Sequence, residues 1–220
     1  MNTQLFGKDF ITTEDWSRTD LETALEVAEE AMELQRTHPQ PRVESTISLM
    51  IHLASLLREL GRMLEAEALG KEGLKLLEEH AGKEHPAYGL ARNNLGYTHL
   101  QMAELEEADR DFQEALACFE RTLVPEHIDV QKTLINLALL RQEQGRAADA
   151  EAILREAKEN LKKGVGETHP AYGSCLNNLA LLMIEQGRIP EGAGLLGEAL
   201  TVQRSALGKR HPLYLQILEN

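Results

Sequence analysis

One spacing governs this chain: segments 42 residues apart resemble each other from near its beginning to its end, without a gap. EHPAYG starts at Glu84 and THPAYG at Thr168, with EHIDVQ from Glu126 between them and RHPLYL from Arg210 after them. The histidines of these segments, His85, His127, His169 and His211, are therefore evenly spaced. In the same register Gly-Arg recurs at Gly61-Arg62, Gly145-Arg146 and Gly187-Arg188, with Ala103-Glu104 in its place in the second unit. A period in this range makes each unit one supersecondary element that cannot bury its apolar face alone. Stacking of like units supplies the missing cover, so a solenoid is the expected architecture.

Within a unit the apolar residues step by three and four. In the fourth, Leu176, Leu179, Ala180, Met183 and Ile184 line one helical face, and Leu195, Leu196, Ala199, Leu200 and Val202 line another. Gly187 between them accepts the left-handed backbone of a helix C-terminus. Proline after histidine falls where a helix starts, at a position that needs no N–H donor. Aromatic residues make up only 4% of the chain, and Ala, Leu and Glu are abundant, which favours helices over strands. The predicted unit is helix, tight turn, helix, short loop.

Small residues recur where paired helices must touch: Ala54, Gly96, Ala138 and Ala180 on the first helix, and Ala66, Ala108, Ala150 and Gly192 on the second. Gly73, Ala115, Ala157 and Ala199 follow one turn or two later. Larger side chains there would force the axes beyond the roughly 8–10 Å of close packing. This pattern resembles the tetratricopeptide repeat, whose usual period is about 34. With its longer unit, its NNLA and QGR segments and its His-Pro linker, it is similar to the kinesin light chain subfamily. The resemblance implies an all-α, right-handed superhelical solenoid of antiparallel helix pairs, and a concave groove lined by each unit's first helix.

The register divides the chain into an N-terminal segment or cap (1–19), a second helix alone (20–40), four units (41–82, 83–124, 125–166 and 167–208) and the start of a further helix or cap (209–220). Trp16, the one tryptophan, reads as part of the N-terminal cap. Because the pattern stops inside a unit, the chain is expected to be either a piece of a longer protein or closed by a lone helix.

Net charge is −13, a surface that repels phosphate backbones, and no basic stripe offsets it; nucleic acid is not an expected partner. The N-terminus lacks the basic-then-apolar pattern of a secretory signal, and no apolar run is long enough to span a membrane. Cys118 and Cys175 form no CxxC pattern and read as buried thiols of a reducing, cytoplasmic setting. No HExxH, phosphate loop or nucleophile elbow occurs, so neither catalysis nor a cofactor is expected. The periodic histidines cannot share a metal ion. Stacked units hold equivalent residues about 10 Å apart, whereas zinc needs nitrogens at about 2.0–2.1 Å. His38, His52, His80 and His99 are scattered.

Asparagine is a middling helix former, yet it recurs in the ladder His52, Asn94, Asn136, Asn178 on the predicted first helices. Its amide both donates and accepts hydrogen bonds. Two roles fit: bracing of neighbouring helices, or, as the resemblance implies, capture of a peptide backbone or terminal carboxylate in the groove. Asn93 and Asn177 stand beside the ladder, and Arg58, Lys132 and Arg92 are the basic candidates. Glu59, Glu143 and Glu185 oppose them, a departure from the basic groove that binds acidic peptides in the kinesin light chain type. The expected function is a scaffold that binds a protein or peptide in its groove. The alternatives are self-association of stacked solenoids, or a regulatory arm of a longer signalling protein.

Overall fold

The computed structural model describes residues 18–37, 43–209 and 211–220; Trp16, His38 and Pro41 lie outside them. The described residues form ten helices: α1 Arg18–Thr37, α2 Val43–Glu59, α3 Met63–His80, α4 Pro86–Gln101, α5 Leu105–Thr122, α6 Ile128–Glu143, α7 Ala147–Gly164, α8 Pro170–Glu185, α9 Ile189–Ala206 and α10 Pro212–Glu219. From α3 onward, the starts of corresponding helices fall 42 residues apart, as the sequence register requires. Helices α2 and α3, α4 and α5, α6 and α7, and α8 and α9 pack as pairs, and each pair packs on the next through its neighbouring helices. Successive first helices (α2, α4, α6, α8) also touch one another, and the second helices make no comparable set of contacts. The stack therefore closes toward its first helices.

The turn inside each pair is set by one left-handed residue. Gly61 (φ 76°), Gly145 (72°) and Gly187 (77°) supply it without a Cβ clash, and Ala103 adopts the same geometry at φ 59°. The small positions are buried as expected: Ala108, Ala115, Ala150, Ala157, Ala180 and Ala199 have no exposed surface. Unit two varies the theme, since the rings of Phe112 and Phe119 fill the space left by Gly96 and Gly89.

Each periodic histidine has a structural task. His85, His127, His169 and His211 are the N-caps of α4, α6, α8 and α10, with extended backbone. Their Nδ1 atoms accept the backbone N–H two residues on, at 3.2, 3.2, 3.1 and 3.3 Å. An imidazole thus replaces the usual Ser or Asp cap, and the accepting nitrogen must be unprotonated. Burial, with Lys132 nearby, holds the His169 imidazole below its ordinary value of 6.5. A depressed value means that folding favours the neutral ring. The stability it contributes is full above the unfolded-state pKa and is lost as pH falls through the lower folded value. We expect His169→Ala to cost about 1 kcal/mol at pH 8, and the difference from the parent to shrink toward pH 5. Urea unfolding at the two pH values measures both.

Candidate functional site

The inner face is built from the exposed sides of α2, α4, α6 and α8. Because 42 residues do not bring the same atoms opposite each other on neighbouring first helices, contacts between these helices run at an offset of 43. Asn136 Nδ2 donates to Asn93 Oδ1 at 3.0 Å, and Asn220 Nδ2 to Asn177 Oδ1 at 3.1 Å. Gln142 Nε2 donates to Glu185 in the same way. These amide clasps span from one unit to the next. The equivalent clasps from positions 51 and 135 are absent because isoleucine stands there.

The ladder is thereby split. Asn93, Asn136 and Asn177 are engaged in bracing, and Asn177 is buried. Asn94 and Asn178 are half-buried on the same face, and neither amide has a hydrogen-bond partner among the described residues. Asn94 borders a crevice with Met50, Ile51, Leu95 and Thr98. His52, at the first rung, is exposed, and its Nδ1 lies 2.6 Å from the Ser48 carbonyl oxygen.

The basic candidates fare differently. Lys132 is half-buried on α6, and burial pushes its amine down to about 8 against the opposing pull of Asp129. Arg58 is laid down rather than displayed. Its guanidinium sits 4.9 Å from the Tyr97 ring centroid, its Nη2 donates to Glu59 at 3.2 Å, and its Nε is buried with no partner among the described residues. Arg92 turns into the helix pair, donating to Asp111 Oδ1 at 2.8 Å and to the Tyr88 hydroxyl at 3.0 Å.

What sequence reasoning did not see is the polar interior of unit two. His99 is 4% exposed, and its Nδ1 lies 2.7 Å from Asp111 Oδ2, itself buried. At the same positions the other units carry Leu57, Arg141 and Met183 for His99, and Leu69, Ile153 and Leu195 for Asp111. The available signal is departure from the period at His99 and Asp111. Among the described residues, no helix is long and apolar enough to cross a membrane.

Residues 10–166 match the MalT-like TPR region, and residues 173–213 match a tetratricopeptide repeat. No curated protein matches the sequence. Solved structures with this fold include BtubC (BKLC) from P. vanneervenii, 20% identical with a TM-score of 0.69, covering 86% of this chain and 75% of that one. A candidate kinesin light chain from Podosopora anserina, built of nearly identical TPR-like repeats, is 21% identical with a TM-score of 0.61, covering 86% of this chain and 90% of that one. The apo form of RapI is 14% identical with a TM-score of 0.60, covering 84% and 77%.

Proposed function

This chain belongs to the MalT-like TPR family, and from that premise we propose that it is a non-catalytic scaffold that captures a protein segment on the inner face of its stack. Tetratricopeptide solenoids generally serve protein–protein interaction. The observation that carries the finer reading is the pair of unengaged amides, Asn94 and Asn178, on a face whose other amides are spent on clasps. An amide pair of this kind suits an extended backbone, which offers both donors and acceptors at regular intervals. Lys132 lies between them along the stack, and an amine at about 8 still carries its charge at pH 7. A carboxylate from the segment would offset part of the desolvation that burial imposes on this amine. His52 and Arg58 border the face at its first unit.

The test is selection of binders from a random peptide display library on the intact chain, followed by titration of the best peptide. Replacing Asn94 and Asn178 together by alanine is expected to weaken binding about tenfold with circular dichroism unchanged. Asn136→Ala, which removes a clasp, should mainly lower stability. A library that yields no binder, or affinity indifferent to the Asn94/Asn178 pair, would overturn the groove assignment.

A further inference from the structure

The internal repeat supplies its own comparison structures. At each junction between units, a carboxylate on the preceding second helix faces the end of the next first helix and the turn that follows it. At the junction of units two and three this acid is Asp109, held by Arg141 through two hydrogen bonds of 2.9 and 3.1 Å. Between units three and four it is Glu151, held by Arg188 at 2.8 and 2.9 Å. Between units one and two it is Glu67, and there the pattern inverts. The turn position occupied elsewhere by Arg62, Arg146 and Arg188 is Glu104, a second acid, and His99 stands where Arg141 does.

His99 Nε2 is 3.4 Å from Glu67 Oε1 and 3.8 Å from Glu104 Oε2. One ligand atom from each of the three residues lies within 4.8 Å of the others. Behind the ring, Asp111 Oδ2 at 2.7 Å accepts the hydrogen bond of Nδ1–H, which in the neutral ring leaves the Nε2 lone pair aimed at two carboxylates. In that neutral tautomer the three atoms repel one another until a metal ion, or a second proton on Nε2, comes between them. Of the nearby cations, Arg92 is taken by Asp111 and Glu114, and Lys71, whose side chain is exposed, pairs with the same Glu67 Oε1 and would give way to a metal there.

We propose that Glu67, His99 and Glu104 form a divalent transition-metal site of the zinc class, with Asp111 as the positioning residue behind the histidine. Tetrahedral coordination with bonds of about 2.0–2.2 Å places neighbouring ligand atoms roughly 3.4 Å apart, close to the 3.4 and 3.8 Å from His99 Nε2 to the two carboxylates. The carboxylate–histidine–metal relay is the usual way a ligating imidazole is oriented and made more basic. Glu104 is partly exposed and leaves a path from solvent. Bound there, the ion would tie α3 to α4 and to the turn before α5, joining units one and two as Arg188 joins units three and four.

The experiment is calorimetric titration of Zn²⁺ into the full chain at pH 7.5 after chelator treatment, repeated with Co²⁺ to read tetrahedral visible bands. One equivalent is expected to bind. Glu104→Arg, which restores the residue of the other three units, should lower the affinity at least 100-fold while preserving the fold by circular dichroism. Glu104→Gln, which adds no charge, should lower it at least tenfold. Replacing His52 and His80, exposed histidines outside the cap series, by glutamine should leave it unchanged. The proposal fails if the parent binds no Zn²⁺, with His99 simply holding a second proton. It fails equally if Glu104→Arg and Glu104→Gln keep parental affinity, or if the His52/His80 pair accounts for the binding.

Discussion

Gly89→Ile is expected to destabilise the protein by about 3 kcal/mol, and adding Phe119→Leu should restore most of the loss. A Cβ at position 89 would stand 2.5 Å from Phe119 Cε1 and 2.8 Å from Cδ1 and Cζ. Real Cβ atoms do not approach so closely, and the ring has no free volume to retreat into, because Phe119 is fully buried. Overpacking of this kind usually costs about 1–3 kcal/mol, and a β-branched residue against a locked ring belongs at the upper end. The rescue follows from the repeat: the equivalent pair in unit one is Ile47 with Leu77, both buried. Unit two has moved volume from the first helix to the second. Chemical denaturation of the parent, both single variants and the double variant forms a mutant cycle. Phe119→Leu alone should cost about 1–2 kcal/mol through the cavity it leaves. A double variant no more stable than Gly89→Ile would show that the two positions do not exchange volume.

That pair also marks where sequence reading reaches its limit. Helix ends, the left-handed turn at Gly187 and the buried small residues were legible because each is imposed on every unit, so the period amplifies them. The pairings of Gly89 with Phe119 and of Gly96 with Phe112 use rings that no other unit carries at those positions, and they look like noise until the packing is seen. The asparagines show a second limit. Their recurrence at 42 was readable, but the clasps connect residues 43 apart, and only the staggered approach of neighbouring first helices reveals which amides are spent and which are open. Periodic histidines were placed correctly at helix starts, while their role as acceptors depends on a backbone N–H that no pattern displays.

The second large effect concerns the polar interior of unit two. Arg92→Met is expected to cost about 3 kcal/mol, whereas the triple replacement Arg92→Met, His99→Leu and Asp111→Leu should be neutral or stabilising. Arg92 donates to Asp111 at 2.8 Å, and only 5% of the Asp111 side chain is exposed. Removing the guanidinium leaves that carboxylate buried with the His99 imidazole as its remaining close partner, close to the situation that costs about 3–5 kcal/mol in other buried pairs. We take the lower end because Arg92 is itself 20% exposed. The triple variant installs the residues that unit one carries at the same three positions, Met50, Leu57 and Leu69, which pack in one apolar cluster. Buried ion networks replaced by well-packed apolar groups commonly gain stability, by about 1–4 kcal/mol. Thermal unfolding of the two variants decides the matter, and a triple variant as unstable as Arg92→Met would mean that the network itself holds unit two together. If instead the apolar version is the more stable, unit two carries a polar core at a cost that its neighbours avoid, and stability is not the reason. The same three replacements remove a ligand and its positioning carboxylate from the Glu67–His99–Glu104 cluster. A more stable protein that no longer takes up Zn²⁺ would then separate what the fold needs from what the cluster is for.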